Sequence, residues 1–105
     1  MDTKITGRVV SAGRALAGIG RKDFAKAAGL PFARVTAIEA TGSAWLRSAA
    51  ERAAILRAFD HFGVVLIDED GNMGAGVRLK FTRQDAGQIA RLEGEGGIVG
   101  ADDAP

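Results

Sequence analysis

The sequence predicts a single, mainly α domain of four or five helices, followed by a β-hairpin and a flexible tail. Three observations lead to this prediction. Apolar residues recur every three or four positions up to about residue 62, which is the period of amphipathic helices. Glycines and capping residues divide this region into short segments, so several helices are expected. From Val64 to Phe81 apolar residues first run together and then alternate with charged ones, which is typical of strands.

Length and composition limit what the chain can be. With 105 residues it is large enough for one modest core and too small for two. It has no cysteine, which excludes disulfides and cysteine zinc sites, and its lone histidine, His61, makes an imidazole metal centre unexpected. No apolar run has the length of a membrane span, and the N-terminus lacks the layout of a secretory signal. We therefore expect a cytoplasmic protein without a metal, a cofactor or contact with a membrane.

Charge is distributed unevenly along the chain. Residues 1–47 hold eight basic and three acidic side chains, a balance of +5, whereas residues 48–81 balance at −1 and residues 82–105 at −3. A polyanion such as DNA would be attracted to the first of these regions and repelled by the last. Simple solvation of helix surfaces explains the basic residues equally well, so charge alone does not decide between the two interpretations.

The first helix is predicted from its ends and from an apolar stripe. Thr6 is a suitable N-cap, and Gly18 can end the helix. Successive members of the stripe are four, three, four and three residues apart, so one face of the helix is expected to be apolar. The stripe consists of Ile5, Val9, Ala12, Leu16 and Ile19.

The stretch from Gly20 to Glu39 is predicted to form two short helices separated by a tight turn. Gly29 supplies the left-handed residue that ends the first of them. Pro31 suits the first turn of the second, whose buried side would carry Val35 and Ile38. The outer side of the second helix would carry Phe32, Ala33, Arg34, Thr36 and Ala37. A helix, a glycine turn and a second helix with a polar outer tip make a candidate helix-turn-helix motif.

A loop and a further helix are predicted next. Trp45 is expected in a short helical turn, where it would cover the core beneath the loop. Ser48 and Glu51 form the capping-box pattern S-x-x-E directly before an apolar-periodic run. Gly63 ends this helix.

The chain changes character twice after this helix. Residues 64–81 form the predicted β-hairpin, and its turn over residues 68–76 is rich in glycine and acidic residues. An isolated hairpin is marginal in water, so its apolar face must pack on the helices or on a second copy of the protein. Residues 82–105 are expected to hold one short helix and then an acidic, disordered tail.

Six segments, in this order and spacing, carry a resemblance to a known family. They are RALAGI (14–19), FAKAAGL (24–30), VTAIE (35–39), AFDHFGV (58–64), IDEDG (67–71) and GVRL (76–79). Together they resemble the XRE-type helix-turn-helix transcriptional regulators, also called Cro/cI-like or lambda-repressor-like, and specifically a short bacterial subgroup with a C-terminal β-hairpin. The resemblance implies that residues 1–81 have this fold and that a recognition helix at about residues 31–40 enters the major groove of DNA.

The resemblance also implies roles for individual residues. Arg14 and Glu39 would form the family's structural ion pair between the first and third helices. Where the family often has a serine or threonine and then a glutamine that holds a phosphate, this chain has Gly20 and Arg21, and arginine can take over the phosphate contact. Further phosphate contacts would come from Lys22, Lys26 and Arg47.

The family's base-reading positions fall on the outer side of the second of the two short helices. They correspond to Phe32, Ala33, Arg34, Thr36 and Ala37. Only Arg34 can form a bidentate pair with guanine, whereas Phe32, Ala33 and Thr36 can at most contact thymine methyl groups. A phosphate contact or a solvated charge is an equally consistent role for Arg34.

Two functions follow from this comparison. The first is a sequence-specific, DNA-binding transcriptional regulator that acts as a homodimer on double-stranded DNA. The second is a protein-binding module on the same fold, such as an antitoxin or an antiactivator, which would hold its partner through the tail or the Phe32 surface. An enzyme is not expected, because the sequence shows no carboxylate pair, no nucleophile with a base and no phosphate-binding glycine loop.

Overall fold

A computed structural model describes residues 4–82, which form four helices followed by a two-stranded antiparallel sheet. In chain order the elements are α1 (Gly7–Ala17), α2 (Arg21–Ala28), α3 (Phe32–Ala40), α4 (Ala49–His61), β1 (Val64–Ile67) and β2 (Gly76–Leu79). The prediction of a mainly α chain with a hairpin is therefore confirmed. The short helix and acidic tail predicted after residue 82 lie outside the described residues. Within the described part, no helix is both long enough and apolar enough to cross a membrane.

One apolar cluster forms the core and receives side chains from every helix and from β1. Its largest fully buried members are Phe24, Phe59, Ile5, Ile38, Ile55, Val10 and Val35. Phe24 of α2 and Phe59 of α4 meet edge to face with their ring centroids 5.9 Å apart, which is a favourable aromatic arrangement. The core therefore fixes α2 and α3 relative to each other and to α4.

Helix α1 buries only part of the predicted stripe, including Val9, and its buried side is turned toward Val10 and two glycines. Ala12 and Leu16 of the apolar stripe are exposed, and the buried residues of the helix are Gly7, Val9, Val10 and Gly13. A Cβ at Gly7 would collide with a carbonyl oxygen of α3, and one at Gly13 would lie 2.6 Å from the Phe59 ring. Glycine has no apolar side chain, so the hydropathy pattern cannot identify Gly7 and Gly13 as buried positions. These are the positions where α1 comes very close to its neighbours.

The ends of α1 and α2 lie where the sequence predicts them. Thr6 Oγ1 accepts a hydrogen bond from the backbone N of Val9 at 3.1 Å, as an N-cap should. Gly18 and Gly29 have φ angles of 72° and 71°, in the left-handed region that favours glycine, and they end α1 and α2. The link between α2 and α3 is therefore only three residues long, 29–31.

Helices α3 and α4 differ from the predictions in small ways. Pro31 is the N-cap of α3, so that the helix begins at Phe32. Ser48 Oγ caps α4 by accepting from the backbone N of Glu51 at 3.1 Å. The reciprocal half of the predicted capping box does not form, because both carboxylate oxygens of Glu51 bond to a residue of α3, described below.

The hairpin packs one face of its sheet on the helices α1 and α4. The side chains on this face are Val64, Leu66, Val77 and Leu79, which are buried or half-buried. The opposite face carries Val65 and Ile67, which are 41% and 44% exposed. The hairpin was expected to pack its apolar face either on the helices or on a second copy of the protein. The structure shows it packed on the helices.

The loop between α3 and α4 begins with turns and becomes extended at Trp45, where a short helical turn was predicted. The backbone N of Leu46 donates to the carbonyl oxygen of Ile5 at 2.7 Å, and Leu46 is buried. Adjacent side chains of an extended segment point to opposite sides, so Trp45 faces outward and is 43% exposed. Its ring instead lies 5.4 Å from the ammonium nitrogen of Lys4.

Candidate nucleic-acid interface

Helix α3 has a buried side and an outward side. Val35 and Ile38 are fully buried in the core. The five outward residues singled out from the sequence are Phe32, Ala33, Arg34 and Ala37, which are exposed, and Thr36, which is half-buried. The Thr36 hydroxyl donates to the carbonyl oxygen of Phe32 at 3.2 Å, so this side chain is engaged by its own helix. Arg34 is therefore the one charged side chain on this outward side.

Arg34 is held by Glu51 of α4. Its Nε donates to Oε2 at 2.5 Å and its Nη2 donates to Oε1 at 2.8 Å. The Arg34 side chain is 46% exposed and that of Glu51 is 18% exposed. The hydrogen bonds, and with them the attraction of opposite charges, lower the pKa of the Glu51 carboxyl and raise the pKa of the Arg34 guanidinium. Both groups are therefore charged throughout the neutral range.

No local pattern in the sequence indicates the pairing between Arg34 and Glu51. The two residues are 17 positions apart and lie on different helices. The S-x-x-E pattern had also provided a complete local explanation for Glu51, namely the capping box with Ser48. Only the folded arrangement, in which α2 packs against both α3 and α4, brings this carboxylate to the outward side of α3.

A second ion pair joins α1 to α3. Arg14 Nε donates to Glu39 Oε2 at 2.8 Å and Nη2 donates to Oε1 at 3.1 Å. Arg14 Nη1 donates to the carbonyl oxygen of Ile19 at 3.1 Å, so every nitrogen of this guanidinium has a partner. The structure thus brings together the two residues that the family resemblance had paired.

Arg21, at the start of α2, joins the same carboxylate. Its Nε donates to Glu39 Oε1 at 2.9 Å, while its side chain is 41% exposed. Burial acts to raise the pKa of the Glu39 carboxyl, but the hydrogen bonds from Arg14 and Arg21 outweigh it, so the pKa lies below its ordinary value. The Nη groups of Arg21 bond to no residue within 4–82 and can still meet an external anion.

The remaining predicted phosphate ligands are exposed. Lys22 and Lys26 lie one turn apart on α2, and Arg47 lies just before α4. No ion pair among the described residues engages any of the three. The N-cap of α2, Gly20, provides no side-chain hydrogen bond, which leaves the first backbone N–H groups of this helix without a side-chain partner.

The described residues were also compared with the usual ligand sets of metal ions. Among residues 4–82, no three or more His, Cys, Asp or Glu side chains are grouped so that they could hold a metal ion. Glu51, beside the outward side of α3, and Glu39, behind the start of α2, are both engaged by arginines, while Asp23 lies exposed in the first turn of α2. What the arrangement offers chemically is a set of cationic donors beside an exposed helix.

Comparison of the sequence with known protein families found no match, and comparison with curated proteins found none either.

Proposed function

We propose that the chain is a sequence-specific, DNA-binding transcriptional regulator that acts as a homodimer. In this proposal the helices α2 and α3 form a lambda-repressor-like helix-turn-helix, and α3 enters the major groove. The observation that carries the proposal is the exposed outward side of α3, on which Arg34 lies. A left-handed glycine turn directly precedes α3, and the helix before that turn, α2, begins with two cationic residues and has no side-chain cap. Helix-turn-helix proteins use two such helices, of which the first contacts the DNA backbone and the second lies in the major groove.

The start of α2 is suited to a phosphate. A helix N-terminus carries a partial positive charge and free N–H donors, and here Gly20 leaves those donors without a side-chain cap. Arg21 adds its free Nη groups and Lys22 adds an exposed ammonium group. Lys26 and Arg47 would extend the phosphate contacts to either side, although neither contributes sequence preference.

The outward side of α3 would read bases. Arg34 supplies the donors for guanine, while Phe32 and Ala33 can pack against thymine methyl groups. Replacement of Arg34 by alanine should cost about 1–3 kcal/mol of binding free energy and relax the preference at one base position. Replacement of Lys22 should instead weaken binding to all sequences alike and flatten the salt dependence. Equal losses on every sequence from Arg34→Ala would show that Arg34 holds a phosphate instead.

A homodimer would place two copies of α3 in successive major grooves, roughly 34 Å apart. The outer face of the hairpin is a candidate for the subunit contact, because Val65 and Ile67 are 41% and 44% exposed there. Both strands also have an unpaired edge, since the sheet has only two strands. A second copy that paired with one of these edges would cover apolar surface and backbone donors together.

The decisive test is binding of the purified protein to the DNA just upstream of its own gene, compared with an unrelated duplex across a salt series. We expect much tighter binding to the upstream fragment, with an affinity that falls steeply with salt because each neutralised phosphate releases counterions. The slope then gives the number of phosphates engaged. Weak and equal binding to both duplexes would show that this fragment holds no specific site, and a random-sequence selection would then decide whether any duplex is preferred.

A protein-binding module on the same fold is the second candidate. It is favoured by Phe32, which is 53% exposed at the head of α3, where a polar reader is expected. A partner pull-down with the wild type and with Phe32→Ala separates the two functions. Loss of the partner in Phe32→Ala, with no sequence preference for DNA in the wild type, would favour the module.

A further inference from the structure

Glu51 engages only some of the hydrogen-bond donors on the guanidinium of Arg34. An arginine has N–H donors along two usable edges, one formed by Nε and Nη2 and the other by Nη1 and Nη2. Glu51 occupies the first edge, with bonds of 2.5 Å and 2.8 Å. Within residues 4–82, no hydrogen bond engages Nη1, and the side chain is 46% exposed. The second edge therefore remains open to a ligand while the first is fixed.

We propose that Glu51 is a positioning residue that holds Arg34 with its Nη1–Nη2 edge outward, so that α3 selects guanine at one position of each half-site. The inference rests on the proposed function, since it names how the reading helix obtains its base preference. The O6 and N7 atoms of guanine are two acceptors side by side in the major groove, and they match a pair of parallel N–H donors. Adenine presents a donor in place of one acceptor and would be rejected by the same edge.

The support behind Glu51 is rigid enough for this role. Glu51 lies in the first turn of α4, where its backbone N is fixed by Ser48 Oγ at 3.1 Å. The same helix is anchored in the core by Ile55 and Phe59, which are fully buried. A long arginine side chain loses rotamer freedom when it binds a base, and a carboxylate that already imposes one orientation removes part of that cost. Arg34 would therefore be oriented before DNA arrives.

The opposite role, in which Glu51 keeps Arg34 away from DNA, makes different predictions. A blocking carboxylate must be displaced before any base contact, so its removal would raise guanine preference and affinity together. A positioning carboxylate also repels the DNA backbone, since it is a negative charge near phosphates. Its removal should therefore raise binding to unrelated DNA while it lowers the preference for guanine, and only a positioning role predicts this divergence.

The experiment begins with a selection of binding sites from a pool of random duplexes, carried out with the full chain. Three duplexes are then titrated: the selected duplex, the same duplex with each selected guanine replaced by adenine, and an unrelated duplex. The variants are Glu51→Gln, which keeps the size of the side chain, and Arg34→Ala. Glu69→Gln is the matched control, because it also removes one carboxylate but lies at an exposed position in the turn of the hairpin. Circular dichroism melting establishes that each variant is folded, and Glu51→Asp serves if Glu51→Gln is not.

We expect the wild type to select a guanine in each half-site and to lose roughly 5- to 150-fold in affinity when it is replaced by adenine. Glu51→Gln should lose most of this discrimination and bind the unrelated duplex about as tightly as Glu69→Gln or more tightly. Arg34→Ala should show no discrimination at that position. Glu51→Asp, which keeps the charge but shortens the reach, should fall between the wild type and Glu51→Gln.

Each contrary outcome identifies what is wrong. A wild type that selects no sequence overturns the proposed function and this inference with it. A wild type that selects a site which Arg34→Ala selects unchanged leaves the proposed function standing and overturns the reading role of Arg34. Full guanine preference in Glu51→Gln overturns the role of Glu51 alone. Nuclear magnetic resonance without DNA provides a further check on the role of Glu51. If the Arg34 Nε–H proton exchanged with solvent equally fast in the wild type and in Glu51→Gln, that role would be contradicted.

Discussion

Two Arg–Glu pairs in this chain use the same atoms in different surroundings. In both, Nε and Nη2 of the arginine donate to the two carboxylate oxygens of the glutamate. In the pair of Arg14 and Glu39, the side chains are 21% and 2% exposed, and Nη1 bonds to a backbone carbonyl. In the pair of Arg34 and Glu51, they are 46% and 18% exposed, and no hydrogen bond within residues 4–82 engages Nη1.

The difference shows how burial changes the role of one hydrogen-bond pattern. A largely buried pair in which every nitrogen of the arginine has a partner is costly to disturb, because loss of one partner leaves a charge that water cannot fully solvate. An exposed pair contributes little to stability, since water and salt compete with it. It can instead hold a side chain in one orientation for a ligand. Substitutions in the two pairs should therefore differ in how much they change the stability of the fold.

Glu39→Ala should lower the free energy of unfolding by about 3 kcal/mol, because it leaves two arginines at the junction of α1, α2 and α3 without their shared acceptor. Urea denaturation followed by circular dichroism measures the change. Glu69→Ala, at an exposed position in the hairpin turn, is the control and should stay within about 0.5 kcal/mol of the wild type. A loss of similar size in both variants would contradict a structural role for Glu39.

Arg14→Ala should destabilise more than Arg21→Ala. Arg14 makes two bonds to Glu39 and one to a backbone carbonyl, whereas Arg21 makes one bond and is 41% exposed. We expect a loss of about 2 kcal/mol for Arg14→Ala and about 1 kcal/mol or less for Arg21→Ala, again from urea denaturation. The reverse order would mean that Arg21, and not Arg14, carries the scaffold contact.

The stability should fall in acid, chiefly through Glu39. Its pKa is lower in the folded chain than in the unfolded chain, so its contribution is fully present above the unfolded pKa and is lost as the pH falls through the folded value. Protonation keeps the shape of the side chain, so the loss should be smaller than in Glu39→Ala. Denaturation at a series of pH values from 7 downward, with Glu39→Gln for comparison, should show a flatter profile in the variant. Parallel profiles would contradict the assignment.

Arg34→Ala and Glu51→Gln should change the stability least, by less than about 1 kcal/mol each, because their pair is exposed. The same urea denaturation measures both. A loss as large as that of Arg14→Ala would mean that this pair is also part of the scaffold. The comparison of the two pairs would then no longer separate a structural role from a reading role.

The sequence predicted the helices and hairpin well because their ends depend on local chemistry. A cap such as Thr6 needs a partner three residues away, and a left-handed glycine such as Gly29 needs only its own backbone. The change from helical to extended periodicity after Gly63 is also local. Within the candidate site, the sequence and the family resemblance named Arg14, Glu39 and the outward residues of α3.

The rest required the tertiary structure, for a physical reason that recurs at each position. Gly13 is buried because the Phe59 ring of α4 lies against it. Trp45 faces outward because the backbone N of the next residue, Leu46, donates to the carbonyl oxygen of Ile5. In the same way, the local pattern around Glu51 was explained by the Ser48 cap, while the partner of its carboxylate, Arg34, depends on how the helices are arranged in the fold. Local signals set where helices begin and end, since their energies come from neighbours in sequence. Which carboxylate meets which arginine was decided by packing, which brings together residues far apart in the chain.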